Sequence, residues 1–247
     1  SGRIYFRHTG LDERFGRVAW TDLASPRDVH FIDGLKCEVV YVAATRGICL
    51  GSERAMLTNY SARLFDARTL EVSATVPLAG IPSRARISGN GSLAAFTVFV
   101  SGHGYDTLGF STQTLIVDAV TGEALADLEE FEVRRGGKVI QSVDFNFWGV
   151  TFAPDENTFY ATLSTNETHF LVRGDLAARR AEVVHENVEC PSLSPDARLV
   201  AYKKRLVVDK RVFWQLQVLE LDSGREVALS ERRSVDDQLE WLDDHHV

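Results

Sequence analysis

The chain sets acidic residues side by side at Glu129-Glu130, Asp236-Asp237 and Asp243-Asp244. Two carboxylates can divide general acid and base work when both reach one reacting bond. Neighbours on a strand point to opposite faces, however, so adjacency in sequence works against that use. Asp236 and Asp237 differ from the other pairs in place, because they precede an apolar stretch that would carry them to a shared opening. The run Asp144-Phe145-Asn146-Phe147-Trp148 mixes polar and aromatic side chains. Such a mixture holds a ligand or a peptide, or else fills a core. His103 and Tyr105 lie in the glycine-rich insertion 101–111, and insertions on a rigid scaffold are where binding residues tend to sit.

Other chemistries find less support. No Gly-x-Ser-x-Gly elbow is present to expose a nucleophile, and His103, His169 and His245-His246 lack partners at metal-ligand spacing. They read as surface histidines. No calcium loop, Walker loop or dinucleotide fingerprint occurs, so no cofactor and no metal are expected. The expected site is a binding surface without catalytic residues, drawn from His103, Tyr105, Asp144, Asn146, Trp148, Asp236 and Asp237.

These residues need elements to position them, and the elements come from a repeat. Pro191-Ser192-Leu193-Ser194-Pro195-Asp196-Ala197-Arg198-Leu199-Val200-Ala201-Tyr202 reads as strand, turn, strand, with Pro195 presetting φ and Asp196 bonding the backbone two residues on. Degenerate copies run over 85–96 and 149–160, and a fourth begins at Leu239 and is cut off at Val247. A second mark runs in phase, a strand ending in Asp at a turn: Asp22, Asp66, Asp118, Asp175 and Asp222. Their separation of about 45 to 57 residues suits units of four short strands stacked radially.

Composition bounds the rest. At 247 residues and 45% hydrophobic content the chain can bury a sizeable core, and one all-β domain over 1–247 is the expectation. A formal charge of -8 removes the broad attraction to phosphate that nucleic-acid binding needs, so no nucleic-acid partner is expected. Lys203-Lys204-Arg205 and Arg232-Arg233 read as solvated faces among acidic neighbours. No apolar run approaches the roughly 20 residues that span a bilayer. The chain opens at the threshold of a strand and stops within another, so trimming at both ends is expected.

Three cysteines allow one bridge and a spare. In a regular hairpin turning near Thr45-Arg46-Gly47, Cys49 lies opposite about position 42, and the five-residue offset to Cys37 at ~3.3 Å each is too long for a bond. A Cys37–Cys49 bridge therefore needs Cys37 in a folded-back loop, and both outcomes stay open. Cys190 precedes a repeat strand as Cys37 does and reads equally as a buried thiol.

The Ser-Pro-Asp-x turn, an apolar strand and then Asp-x-x-Gly, best kept over 191–229, resembles the WD40-like repeats of TolB-type β-propellers. Larger pieces, 82–88, 98–103, 146–152 and 233–238, resemble actinobacterial TolB-like proteins. The resemblance implies an all-β, six-bladed propeller with incomplete terminal blades: 3–32 (partial), 37–78, 82–128, 131–185, 190–229 and 235–247 (partial). The basic stretch Arg134-Arg135-Gly136-Gly137-Lys138 reads as the tip of an extra hairpin. Helix-favouring 175–182 is assigned to turn and strand by repeat register. The resemblance further implies a noncatalytic binding or scaffolding domain outside the cytoplasm, in the cell envelope, with a protein or peptide partner and a membrane anchor outside this sequence. The competing expectation is an enzyme, a hydrolase or the propeller of a peptidase, with its site at a channel mouth.

Overall fold

The computed structural model describes residues 2–54, 58–100 and 111–247, so His103 and Tyr105 lie outside the described residues. Apart from one 3-10 turn at Leu128–Glu130, the regular elements are strands. β-Branched and aromatic runs cut short by Gly, Asp and Pro leave little room for anything else. β1 (Arg3–Arg7), β2 (Arg17–Asp22) and β3 (Ser25–Lys36) make a three-stranded sheet. β4 (Val39–Ala43), β5 (Arg46–Arg54), β6 (Thr58–Asp66) and β7 (Val72–Leu78) make a four-stranded one. β8 (Ile81–Ile87), β9 (Leu93–Val100), β10 (Ser111–Asp118) and β11 (Ala124–Asp127) repeat that order.

The fourth sheet is larger. Its meander is β14 (Asn146–Phe152), β15 (Thr158–Thr165), β16 (Thr168–Asp175) and β17 (Arg180–Glu186). The hairpin of β12 (Glu132–Arg135) and β13 (Lys138–Ile140) adds to its outer edge, β12 pairing parallel with β17. β18 (Glu189–Leu193), β19 (Leu199–Val208), β20 (Arg211–Glu220) and β21 (Glu226–Ala228) form the fifth. The first strands pack in succession, β4 on β8, β8 on β14 and β14 on β18, and so line the inside of the array.

The described residues hold five sheets where six units were expected. Residues 229–247 contain no strand. The repeat turn still forms there: Leu242 N–H donates to His246 O at 2.9 Å, as Ser194 N–H does to Leu199 O at 2.8 Å. Asp243 Oδ1 takes the N–H groups of His245 and His246, both at 2.8 Å. The stretch before that turn contacts the fifth blade mainly through side chains, and without a ladder it does not become a strand.

Hydrophobic cores lie between consecutive blades. Val18 and Ile32 of the first meet Phe65 of the second, and Ile48 and Leu64 of the second meet Ile87 and Phe96 of the third. Phe147, Phe159 and Phe170 of the fourth pack with Leu93, Ile116 and Leu128. Leu171 meets Tyr202 and Leu219 of the fifth. Full burial of one such side chain contributes about 1.5–3 kcal/mol, which sets blade against blade firmly enough to hold an inner surface in place.

Cys37 and Cys49 are disulfide-bonded, with Cα atoms 5.4 Å apart. The hairpin turns at Ala44-Thr45, one step earlier than a pairing of Cys49 with position 42 requires, and pairs Ala43 with Arg46 and Val40 with Cys49. The offset shrinks to three residues, and the connection ahead of β4 folds back over β5, where Glu38 N–H donates to Leu50 O at 2.7 Å.

Candidate functional site

Three successive innermost strands carry a pairing shift at equivalent places. β8 slips against β9 between Pro82 and Arg84, β14 against β15 between Trp148 and Thr151, and β18 against β19 between Glu189 and Ser192. A bulge leaves residues unpaired and re-aims the side chains beside them. Gly149 and Cys190 take the irregular positions with φ of 66° and 49°. Glycine suits 149 twice over, since a Cβ there would lie 2.8 Å from Cys190 Cα. Cys190 is held in its unfavourable conformation by its neighbours, its N–H donating to Thr162 Oγ1 at 2.9 Å.

The bulges converge on a cavity of about 460 Å³ among the third, fourth and fifth blades. Ser83, Arg84, Trp148, Glu189 and Cys190 enter it from the bulges, and Phe99, Trp214, Lys203 and Asp236 complete the aromatic and charged walls. That volume is of the size of pockets that take small molecules or peptide side chains, about 300–1,000 Å³.

The charges are arranged in pairs. Glu189 is buried, and its Oε1 lies 2.6 Å from His169 Nδ1. The two are too poorly aligned to count as hydrogen-bonded, which leaves that oxygen without a hydrogen-bond donor among the described residues. The His169 ring stands edge-on to Trp148 at 5.4 Å. Lys203, 1% exposed, pairs its ammonium with Asp236 and lies 4.8 Å from the centre of the Trp214 ring. Arg84 Nε donates to Cys190 Sγ at 3.4 Å. Burial works against the Arg84 charge, but Cys190, Asp237 and Asp236 outweigh it and raise its pKa.

Beyond the cavity, Arg86 crosses from the third blade to the fifth. Its Nη2 donates to Ser192 Oγ at 3.1 Å, while Nη1 donates to Tyr41 Oη at 2.9 Å and to Glu240. Tyr41 Oη donates to Glu240 Oε1 at 2.9 Å, closing a network that ties three blades to the strandless segment. Burial opposes the Arg86 charge, and Tyr41 and Glu240 more than offset it.

Of the residues expected from sequence, Trp148 and Asp236 line the cavity. Asp237 is exposed and caps the N–H of Gln238 at 2.8 Å. Asp144 and Asn146 tie elements together. Asp144 accepts from Ser142, from Thr165 Oγ1 at 2.6 Å and from Asn166 N–H at 2.7 Å. Burial would raise its pKa, yet these donors bring it below the usual range. Asn146 Oδ1 takes the N–H of Thr112 at 2.8 Å, joining β14 to β10.

Two expectations are corrected. Lys203 is not on a solvated face: it sits opposite Leu216 in the β19–β20 ladder and points inward, while Arg205 on the same strand is exposed. His169 is no plain surface histidine but a partner of Glu189 and Trp148. Arg84, Arg86, Glu189, Trp214 and Glu240 were not anticipated. Of these only Arg84 stands at a repeat-equivalent place, four residues before the turn residue Ser88 as Cys190 is before Ser194, and no sequence signal marked the others.

Blades built as meanders, set side by side around first strands that face inward, are the architecture of the solved TolB from Acinetobacter baumannii. That structure is 16% identical, with a TM-score of 0.61, over 92% of this chain and 52% of that one. The fold is a TolB-like β-propeller. A second structure with this propeller arrangement, hydrazine synthase of Kuenenia stuttgartiensis, matches at 15% identity and a TM-score of 0.54 over 88% of this chain and 60% of that one. The chain thus spans about half of the TolB structure and about three fifths of the other. No protein-family model and no curated protein matches the sequence. One of these two structures carries the name of an enzyme and the other does not, so the fold alone does not choose between binding and catalysis.

Proposed function

We propose that this chain is a noncatalytic binding propeller that works outside the cytoplasm, in the cell envelope, and holds a protein or peptide partner at its channel mouth. The observation that carries this reading is the bulge-lined cavity, whose Trp148, Trp214 and Phe99 stand beside the charged groups of Arg84, Glu189, Lys203 and Asp236. Aromatic walls with a few placed polar groups favour recognition. Two of the three nucleophile candidates there favour it too: among the described residues, neither Ser83 nor Cys190 is hydrogen-bonded to a histidine or a carboxylate through its side chain, while the third, Thr112, donates to Glu129 at 3.0 Å in the link between the third and fourth blades. A base within that reach is what a catalytic reading would need. The Cys37–Cys49 bridge suits an oxidising compartment.

The test is capture from the native cell by the unaltered chain and by an Arg84→Ala/Trp214→Ala variant whose melting temperature stays within a few degrees. A partner held by the first and lost by the second supports the reading. Equal capture by both removes the cavity from the interaction.

A further inference from the structure

We infer that the cavity among the third, fourth and fifth blades is a site for a small organic carboxylate with a flat apolar body, held at its charged end by Arg84. Such a ligand is no part of the partner reading above. Arg84 stands on β8 in the cavity wall and is partly buried. Its guanidinium carries N–H donors in a fixed planar fork. Nε donates to Cys190 Sγ at 3.4 Å and Nη1 to Ser83 O at 2.9 Å, and Nη2 makes no hydrogen bond among the described residues. Arg84 also has no ion-pair partner among them. Of the two carboxylates in the wall, Asp236 is engaged by Lys203, and Glu189 lies against His169, 2.6 Å from Oε1 to Nδ1.

A thiol sulfur is a weak acceptor, and a cation drawn out of water without a counter-charge is disfavoured. A carboxylate meets a guanidinium at two points and answers both needs. The bulge between Pro82 and Arg84 sets where the side chain leaves β8, and the bond to Cys190 fixes its plane, so the donors are oriented before a ligand arrives. Glu189 and Asp236 repel any negative charge beyond the one that Arg84 matches, which selects a monoanion. Trp148 and Trp214 supply indole rings to the same cavity, against which a flat body packs. Its volume of about 460 Å³ suits a small molecule. Arg84, Trp148, Cys190 and Trp214 all stand on strands of the third, fourth and fifth blades.

The probes are phenylacetate and phenylacetamide, its uncharged counterpart of nearly the same shape. In titrations followed by tryptophan fluorescence, the acid binds the unaltered chain about ten-fold or more tightly than the amide, the effect of one charge-assisted contact. Arg84→Gln removes that preference while the melting temperature stays within a few degrees, and Trp214→Ala weakens acid and amide alike. Equal binding of the two by the unaltered chain, binding of neither, or a preference that survives Arg84→Gln overturns the proposal. Should Arg84→Gln not fold, hydrogen exchange of the unaltered chain decides: slower exchange over 81–87 and 189–193 with the acid alone supports the site, and no difference between the probes refutes it. If the acid fails while cavity-dependent capture of a partner persists, only the small ligand is wrong. If the acid binds while capture is equal for both chains, the cavity serves the small molecule and not the partner.

Discussion

Thr162 Oγ1 on the fourth blade accepts the backbone N–H of Cys190 on the fifth at 2.9 Å. The same arrangement recurs where Thr151 Oγ1 takes the N–H of Leu193 at 3.1 Å, and in reverse where Thr114 Oγ1 donates to Phe147 O at 2.6 Å. Buried threonines thus satisfy main-chain groups of innermost strands that have no ladder partner on that side, the Cys190 N–H at a bulge among them. In the fifth blade Lys203 stands across from Glu189 as Thr162 stands across from Trp148, and it reaches to Asp236.

Replacing Thr162 by Val keeps the shape and strands the Cys190 N–H in an apolar setting. The expected loss is about 1–3 kcal/mol, read from urea unfolding midpoints. Thr162→Ser keeps the acceptor and recovers most of it, and a Val variant as stable as the parent would show that the bond contributes nothing.

Glu129 bridges the third and fourth blades. It accepts from Thr114 N–H at 2.8 Å, Thr112 Oγ1 at 3.0 Å and Phe147 N–H at 3.2 Å. Burial, with Asp127 adding to it, pushes its pKa up to about 8 from an ordinary 4.5. Between those values the folded state binds more protons than the unfolded one, so this group's contribution to stability declines as pH rises from about 4.5 to about 8. Denaturation series across that window should show a smaller decline for Glu129→Gln than for the parent.

Glu226 has the opposite sign. Burial would raise its pKa, but Lys204, Tyr202 and His185 hold it at about 2. Its contribution is present above about 4.5 and is lost as pH falls toward about 2. Acid unfolding followed by circular dichroism should be less steep for Glu226→Gln, which should also be the less stable protein at neutral pH. An unaltered acid limb would mean that the four side chains do not act together.

The Cys37–Cys49 bond closes a short loop between the first two blades, at a sequence separation of 12. Non-reducing peptide mapping should recover the two cysteines in one linked fragment, with Cys190 alkylated only after unfolding. A double Ala variant should lose about 2–3 kcal/mol.

The propeller was legible because its signals are local. Asp66 accepts the N–H groups of Arg68 and Thr69, and Asp118 those of Val120 and Thr121, so the turn residues mark each blade whatever lies elsewhere. The cavity was only half legible. Asp236 announced itself by position and Trp148 by composition, but Glu189 and Cys190 reach the site through a bulge that no simple alternation predicts. Lys203 was hidden in the basic run Lys203-Lys204-Arg205, because alternation along β19 puts Lys203 and Arg205 on one face and only the cover of Trp214 and Asp236 buries the first. The strandless 229–247 escaped for a related reason, since a strand-like pattern becomes a strand only beside a partner.

The β12–β13 hairpin changes what the fourth blade shows to other molecules. β12 covers the outer rim of β17, and the new rim is β13, three residues long and opened by Lys138. A long row of unpaired amides is replaced by a short, charged one that offers another chain little to zip onto. Deleting 132–140 should therefore show itself first as concentration-dependent self-association rather than as lost stability of the inner strands.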